Sequence, residues 1–397
     1  MAAAPKPSTP AAAPTISSSA SPSSMFPPSS RTTASTPSSK DLSTVDAGCR
    51  TSTTRVSHNG LSMLDFPSLS PFTRRVTGVD RAYFPYDLSS EPADFALEAA
   101  TILTTAGALY AMNGRFRPGS ERVTVFLHGV GASWTTWTPL MLAAGSRLGE
   151  LGNVLLVDLP GFGASERRPE SLDASAIGPA LVQACAQLGY RELDLVGHSM
   201  GGYLAMEMAS GGAPEITSVC CLSGAYFSIV EAAAHPANAL MHHPRATVYY
   251  RSQVALSLLG PLAPILLAAL SRVGLMPMVL RPFLAQPKRA RPAFRASLST
   301  EFRGRSFRMA ARNAKSHDLR TDWPRIAVPV FGLFGVRDRF TGPADARAFA
   351  RVLPGASVTS VDEAGHFAHI EQPAATFEWV RRSVASARST AQGEPND

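Results

Sequence analysis

At 397 residues and a formal net charge of +7, the chain is long for one domain, but its composition is uneven, so length overstates the folded mass. Its four cysteines, Cys49, Cys185, Cys220 and Cys221, have neither a paired framework nor metal-ligand spacing, which sets aside a disulfide scaffold and favours a reducing compartment. The charge is regional: residues 281–320 hold eleven Lys or Arg against Glu301 and Asp318, and the remainder is near balance.

Residues 1–60 are dominated by Ser, Thr, Pro and Ala, with no acidic residue before Asp41. Such a segment cannot bury enough apolar area to offset its chain entropy, and a disordered tail is expected. It contains no continuous apolar core of the roughly 7–15 residues that a secretory signal needs, and a cytoplasmic location is expected. A serine-rich, acid-poor organelle-targeting segment is the alternative; against it, Arg31 is the only arginine before Arg50. Residues 61–94, with Phe66, Phe72, Tyr83, Phe84 and Tyr86, read as a lead-in that packs on the folded domain.

From residue 95 the pattern becomes that of a folded core. Residues 100–105 and 108–116 read as two strands joined by a tight turn at Gly107. Residues 122–127 are strongly β-branched and apolar, as in a strand buried on both faces of a parallel sheet. They run into His128-Gly129-Val130-Gly131-Ala132-Ser133. A further strand at 154–157 leaves through Asp158-Leu159-Pro160-Gly161-Phe162-Gly163, and a helix is expected over 172–188.

Residues 193–196 form a short apolar run that stops at Gly197, and a helical pattern with Leu204 and Met208 on one side starts after Ser199. A strand-turn-helix this tight leaves no room for side chains beside the apex, which is what Gly197 and Gly201 provide. Ser199 then stands alone, its hydroxyl outward, beside main-chain N–H groups that face an incoming anion. Gly197-His198-Ser199-Met200-Gly201-Gly202 resembles the nucleophile elbow of the α/β-hydrolase fold, and the resemblance extends from about residue 98 to residue 385.

Strands at 216–222, 328–334 and 356–361 and a last helix at 374–385 complete the pattern. The fold class expected is α/β: a doubly wound, mostly parallel eight-stranded sheet with a helical cap inserted after the sixth strand. Residues 95–224 and 324–388 would be the core and 225–323 the cap, since that gap is far too long for a connection. Residues 389–397 read as a disordered end.

A serine hydroxyl needs a base to take its proton and return it, and histidine is the residue suited to that at neutral pH. Of nine histidines, His366 follows the last strand, where the resembled family carries its catalytic histidine; His369 is the nearest rival. Asp338, just past the seventh strand, matches the family's acid, and Ser, Asp, His is the order this fold uses. The resemblance also gives the oxyanion hole to the backbone N–H groups of Val130 and Met200; His128 is expected to orient this loop rather than do chemistry. Trp134 and Trp137 are candidates for lining the substrate pocket. A serine at the elbow excludes relatives that use aspartate there, notably epoxide hydrolases and haloalkane dehalogenases.

Residues 252–271 carry no charge and just reach the length of a membrane helix. Pro261, Pro264 and Gly260, and a place between two sheet strands, favour cap helices suited to an apolar acyl chain. Arg303, Arg305, Arg308 and Arg312 would draw the cap to anionic lipid or substrate, or form a solvated cationic face. No nucleic-acid module is recognisable, His235, His242 and His243 lack companion ligands, and no cofactor or metal is expected. The function expected is a serine hydrolase cleaving a carboxylic ester with an apolar acyl group through an acyl-enzyme. Carbon–carbon bond hydrolysis or acyl transfer by the same triad, and a catalytically silent relative that binds a ligand or partner, are the alternatives.

Overall fold

The computed structural model describes residues 73–76, 82–166, 174–224, 226–313 and 319–392, all within the compact unit Phe66–Asp397. The disordered tail expected over 1–60 lies outside the described residues. Among the described residues, nine strands form one sheet: β1 (Thr73–Val76), β2 (Glu98–Thr104), β3 (Gly107–Gly114), β4 (Arg122–Leu127), β5 (Asn153–Val157), β6 (Glu192–His198), β7 (Ile216–Leu222), β8 (Val330–Gly335) and β9 (Ser357–Val361). Their order is β1-β9-β8-β7-β6-β4-β5-β3-β2. The ladders β2·β3 and β3·β5 are antiparallel and all others parallel, the doubly wound arrangement expected. All eight expected strands are present. The ninth, β1, pairs Thr73 with Val358 and Val76 with Val361 at the sheet edge, inside the segment that reads in the sequence as a lead-in.

The helices are α1 (Thr138–Ala144), α2 (Ala174–Gln187), α3 (Met200–Ser210), α4 (Phe227–Ala234), α5 (Pro236–His242), α6 (Pro244–Leu258), α7 (Leu262–Arg272), α8 (Met276–Leu280), α9 (Pro292–Thr300), α10 (Gly304–Asn313), α11 (Leu319–Asp322), α12 (Gly342–Val352), α13 (Ala368–Glu371) and α14 (Pro373–Gln392). Because both sheet faces are covered, the parallel strands alternate between two cores. Val123, Val125, Leu193 and Leu195 pack with Ile177 and Leu181 of α2, Leu204 of α3 and Phe349 of α12. Phe126 and Val196 face the other way, onto Leu140 and Met141 of α1 and Phe377 and Val380 of α14.

The long excursion between β7 and β8 is helical, α4 to α11, as its length required. Among the described residues no single helix is long and apolar enough to cross a membrane, and α6 and α7, which reach that length together, are bent by 116° at the break between them. At the other end, α14 continues to Gln392, so residues 389–392, expected to be disordered, are helical. Arg388 is the reason: its guanidinium donates to Asp194 Oδ2 at 2.9 Å and to the Leu151 carbonyl at 2.8 Å.

Asp194 is fully enclosed on β6, where it also accepts from both Nε and Nη2 of Arg122 at 3.0 Å, from Ser218 Oγ at 2.7 Å and from Thr217 Oγ1 at 2.9 Å. Burial alone would raise its pKa; the Arg122 hydrogen bonds, with Arg388 and Ser218, reverse this and hold the carboxyl below its usual value. By linkage, a depressed carboxylate contributes stability that is present above its unfolded pKa and is lost as pH falls through the folded one. Asp194→Ala would strand two half-buried arginines. A cost of about 3 kcal/mol, at the low end for a broken buried pair because both keep some water, is expected, read as a melting-point drop of roughly 6–12 °C.

Candidate active site

The loops that matter leave the carboxyl ends of neighbouring parallel strands, the edge at which open α/β sheets gather ligands. Ser199 follows β6 with φ 52° and ψ −114°, a left-handed backbone that an ordinary residue holds only under constraint. The constraint is steric: a Cβ on Gly197 would overlap the Gly201 carbonyl, and one on Gly201 would overlap the Leu127 carbonyl. Helix α3 starts at the next residue and packs beneath the turn against β6 and β7.

His366, after β9, points its Nε2 at Ser199 Oγ across 3.0 Å. Its Nδ1 lies 2.9 Å from Asp338 Oδ2, and all three side chains are buried. A carboxylate can only accept, so Nδ1 carries the proton and Nε2 is left to accept from the serine hydroxyl. Asp338, after β8, is fixed by three further donors: Phe340 N–H at 2.8 Å, Thr341 N–H at 3.1 Å and Thr341 Oγ1 at 2.7 Å. The three residues singled out in the sequence therefore meet, although 139 and 28 positions separate them in the chain. The rival His369 does not join them. It bonds Thr136 Oγ1 at 3.1 Å and packs against the Trp137 ring at a tilt of 39°, and burial lowers its pKa to about 3.

Two residues hold His366 from behind. His198 donates from Nε2 to the His366 carbonyl at 2.9 Å, and burial, then His369 and His366, keep its pKa well below the usual value, so it stays neutral. Glu371 accepts from the N–H groups on either side of the histidine, Gly365 at 2.9 Å and Phe367 at 3.2 Å, through one oxygen. Its other oxygen takes Tyr83 Oη at 2.7 Å and the Ala285 N–H at 2.8 Å, which ties the lead-in and the helical insertion to the same loop. Burial raises the Glu371 pKa to about 7 in spite of these donors. His198 reaches a carbonyl 168 positions away, and Glu371, although it bonds Gly365 and Phe367 within six positions, also takes donors 86 and 288 positions away, so linear spacing shows neither set of distant contacts.

The loop after β4 runs along the elbow. A Cβ on Gly129 would lie 3.2 Å from Ser199 Cβ and 2.9 Å from His198 Nδ1, so only glycine lets the chain reach Val130 there. His128 fixes the loop: Nδ1 donates to the Gly129 carbonyl at 2.7 Å and Nε2 accepts the Leu159 N–H at 2.9 Å, a tautomer kept neutral by burial, which lowers its pKa to about 4. Asp158 takes the Trp134 N–H at 2.7 Å and the Ala164 N–H at 2.8 Å, and burial raises its pKa to about 6. Met200 opens α3, so its N–H is among the first-turn donors that a helix leaves without an internal acceptor.

The two tryptophans do not line a pocket beside the serine as expected. Trp137 is 0% exposed, wedged between Phe126 at 5.1 Å and His369 at 4.7 Å. Trp134 retains 5% and packs in the same core. The short helical turn capped by Ser133 swings both rings inward, into the core rather than toward Ser199. The aromatic rings that do surround His366 include Phe340 at 5.1 Å and Phe283 at 6.1 Å, the second supplied by the insertion, whose Phe283 carbonyl also accepts the His366 N–H at 2.6 Å. Phe302, Phe307 and Ile229 extend this apolar lining beside Val130 and Gly131. Nor do Arg303, Arg305, Arg308 and Arg312 form one solvated face: Arg303 and Arg308 turn onto the carbonyls of Thr300 and Ser257, leaving Arg305 and Arg312 exposed.

The sequence profile described as the alpha/beta hydrolase family matches residues 124–379. The magnesium-chelatase 30 kDa subunit of Rhodobacter capsulatus is 26% identical over 255 residues, 64% of this chain and 83% of that protein. The abhydrolase domain-containing protein abhd-5.2 of Caenorhabditis elegans is 36% identical over 89 residues, 21% of this chain and 19% of that protein. The matched stretch thus spans about a fifth of the nematode protein's length. Among solved structures, an esterase from Exiguobacterium antarcticum superposes with a TM-score of 0.55 at 17% identity, covering 74% of this chain and 100% of that one, a likeness of fold.

Proposed function

The chain belongs to the alpha/beta hydrolase family, and from that premise we propose that it is a serine hydrolase that cleaves a carboxylic ester with an apolar acyl group. The observation that carries the proposal is the relay from Ser199 Oγ to His366 Nε2 at 3.0 Å and from His366 Nδ1 to Asp338 at 2.9 Å, beside Phe283 and Phe340. Ser199 Oγ attacks the ester carbonyl as its proton passes to His366 Nε2. The N–H groups of Val130 and Met200 stabilise the oxyanion, a contribution worth on the order of a hundred to a thousandfold per donor. Collapse expels the alcohol, protonated by His366, and leaves an acyl-Ser199. Water, deprotonated by the same nitrogen, then releases the acid.

The helical insertion acts as a cap in this reading, since Phe283 brings an apolar wall to the reacting atoms. Carbon–carbon bond cleavage and acyl transfer use the same three side chains, so the choice of substrate separates them. The test is a series of p-nitrophenyl esters of graded acyl length, beside a monoacylglycerol and a diketone. The expected result is a burst of nitrophenol equal to the enzyme, with kcat/KM rising as the acyl chain lengthens. Cleavage of the diketone alone would move the protein to the carbon–carbon class, and inertness toward all three would move it to the silent one.

A further inference from the structure

Residues 232–300 contain no Asp or Glu, yet carry eight Lys or Arg, from Arg245 to Arg295. This acid-free stretch builds α5 to α9, and its apolar side chains face two ways. On α7, Ala263 and Leu267 turn inward and Leu267 joins Leu280, Leu284 and Phe294, a cluster that reaches Phe367 beside the His366 loop. At the α6–α7 bend, Leu258, Leu262 and Ile265 are 69%, 60% and 64% exposed, and Met278 just beyond is 77% exposed. Leu259 and Leu266 are exposed with them. Scattered surface leucines are ordinary; a group of this size at one bend is not.

We propose that the α6–α7 bend is a membrane-docking tip, which seats its leucines among the acyl chains of an anionic bilayer while the arginines of the same helices meet the headgroups. Three features favour this occupant over others. The 116° bend keeps the pair from forming one straight span and gathers exposed apolar side chains at the turn, the geometry of a monotopic insertion. The exposed cations of this stretch, Arg245 and Arg251 on α6, Arg272 at the end of α7, then Arg281 and Lys288, have no carboxylate within their own elements to neutralise them, and a surface rich in anionic lipid would do so. The same uncompensated charge disfavours a second copy of the chain on this face. Exposure and charge carry this assignment independently of the reaction proposed above.

The test is co-flotation of the full chain with phosphatidylcholine vesicles, with and without phosphatidylglycerol, at low and high salt. Binding is expected with phosphatidylglycerol and weakened by salt, which screens the arginines. Leu262→Asp with Ile265→Asp should lower binding by roughly tenfold or more through lost apolar insertion. Arg251→Glu with Arg272→Glu should remove the preference for phosphatidylglycerol. Both variants should keep the melting temperature and the turnover of a soluble ester. The proposal is overturned if wild-type protein stays off phosphatidylglycerol vesicles, or if either folded variant floats as well as wild type. A dimer in size-exclusion light scattering that Leu262→Asp with Ile265→Asp disperses would equally overturn it, by assigning the face to a second copy.

Discussion

Ser199→Ala is expected to lower turnover of the best ester substrate by about a millionfold, as removal of the nucleophile does in enzymes whose serine, histidine and acid act as a unit. The loss is chemical rather than structural. Alanine keeps the Cβ that abuts Gly129 and the same constrained backbone at φ 52°, and the hydroxyl's partner is His366 Nε2. The melting temperature should therefore change little while kcat collapses. A loss of only tenfold would place the nucleophile on another residue, because no binding contact of one hydroxyl is worth the full difference.

Asp338→Asn should cost about ten-thousandfold in kcat, the scale seen when a triad carboxylate becomes an amide. The main-chain N–H groups of Phe340 and Thr341 already donate to Oδ1, so the amide oxygen is drawn to that side and the NH2 is turned toward His366 Nδ1. A donor there imposes the opposite tautomer. His366 Nε2 would then carry the proton and could not take one from Ser199. KM should move far less than kcat, and the protein should still fold. A variant that binds substrate with kcat near wild type would show that Asp338 does not set the tautomer.

The sequence carries the sheet and the triad unevenly, for physical reasons. The central strands β4 to β7 are buried on both faces, so each reads as a largely apolar run, and the elbow's glycines are forced by main-chain contacts at the turn itself. The edge strand β1 pairs on one side only, and its Thr-Arg-Arg-Val carries no apolar signature. The last turns of α14 are polar, and an arginine reaching a carboxylate on β6 holds them. Trp134 and Trp137 sit beside the right loop, but which way a ring swings is decided by the turn that Ser133 caps, not by its neighbours in the chain. Phe283 and His198 act on the His366 loop from other elements, and linear spacing contains nothing that pairs them with it, whereas Glu371 sits five positions on and only its bonds to Tyr83 and Ala285 are distant.

A hydroxyl made nucleophilic by its neighbours is the centre of the mechanism, and the most direct measurement of it is the mass-mapped adduct of the folded protein with a fluorophosphonate. One adduct is expected, on the peptide that carries Ser199, formed slowly or not at all in His366→Ala. Folded wild-type protein that resists the reagent, or an adduct on a different residue, would contradict the relay.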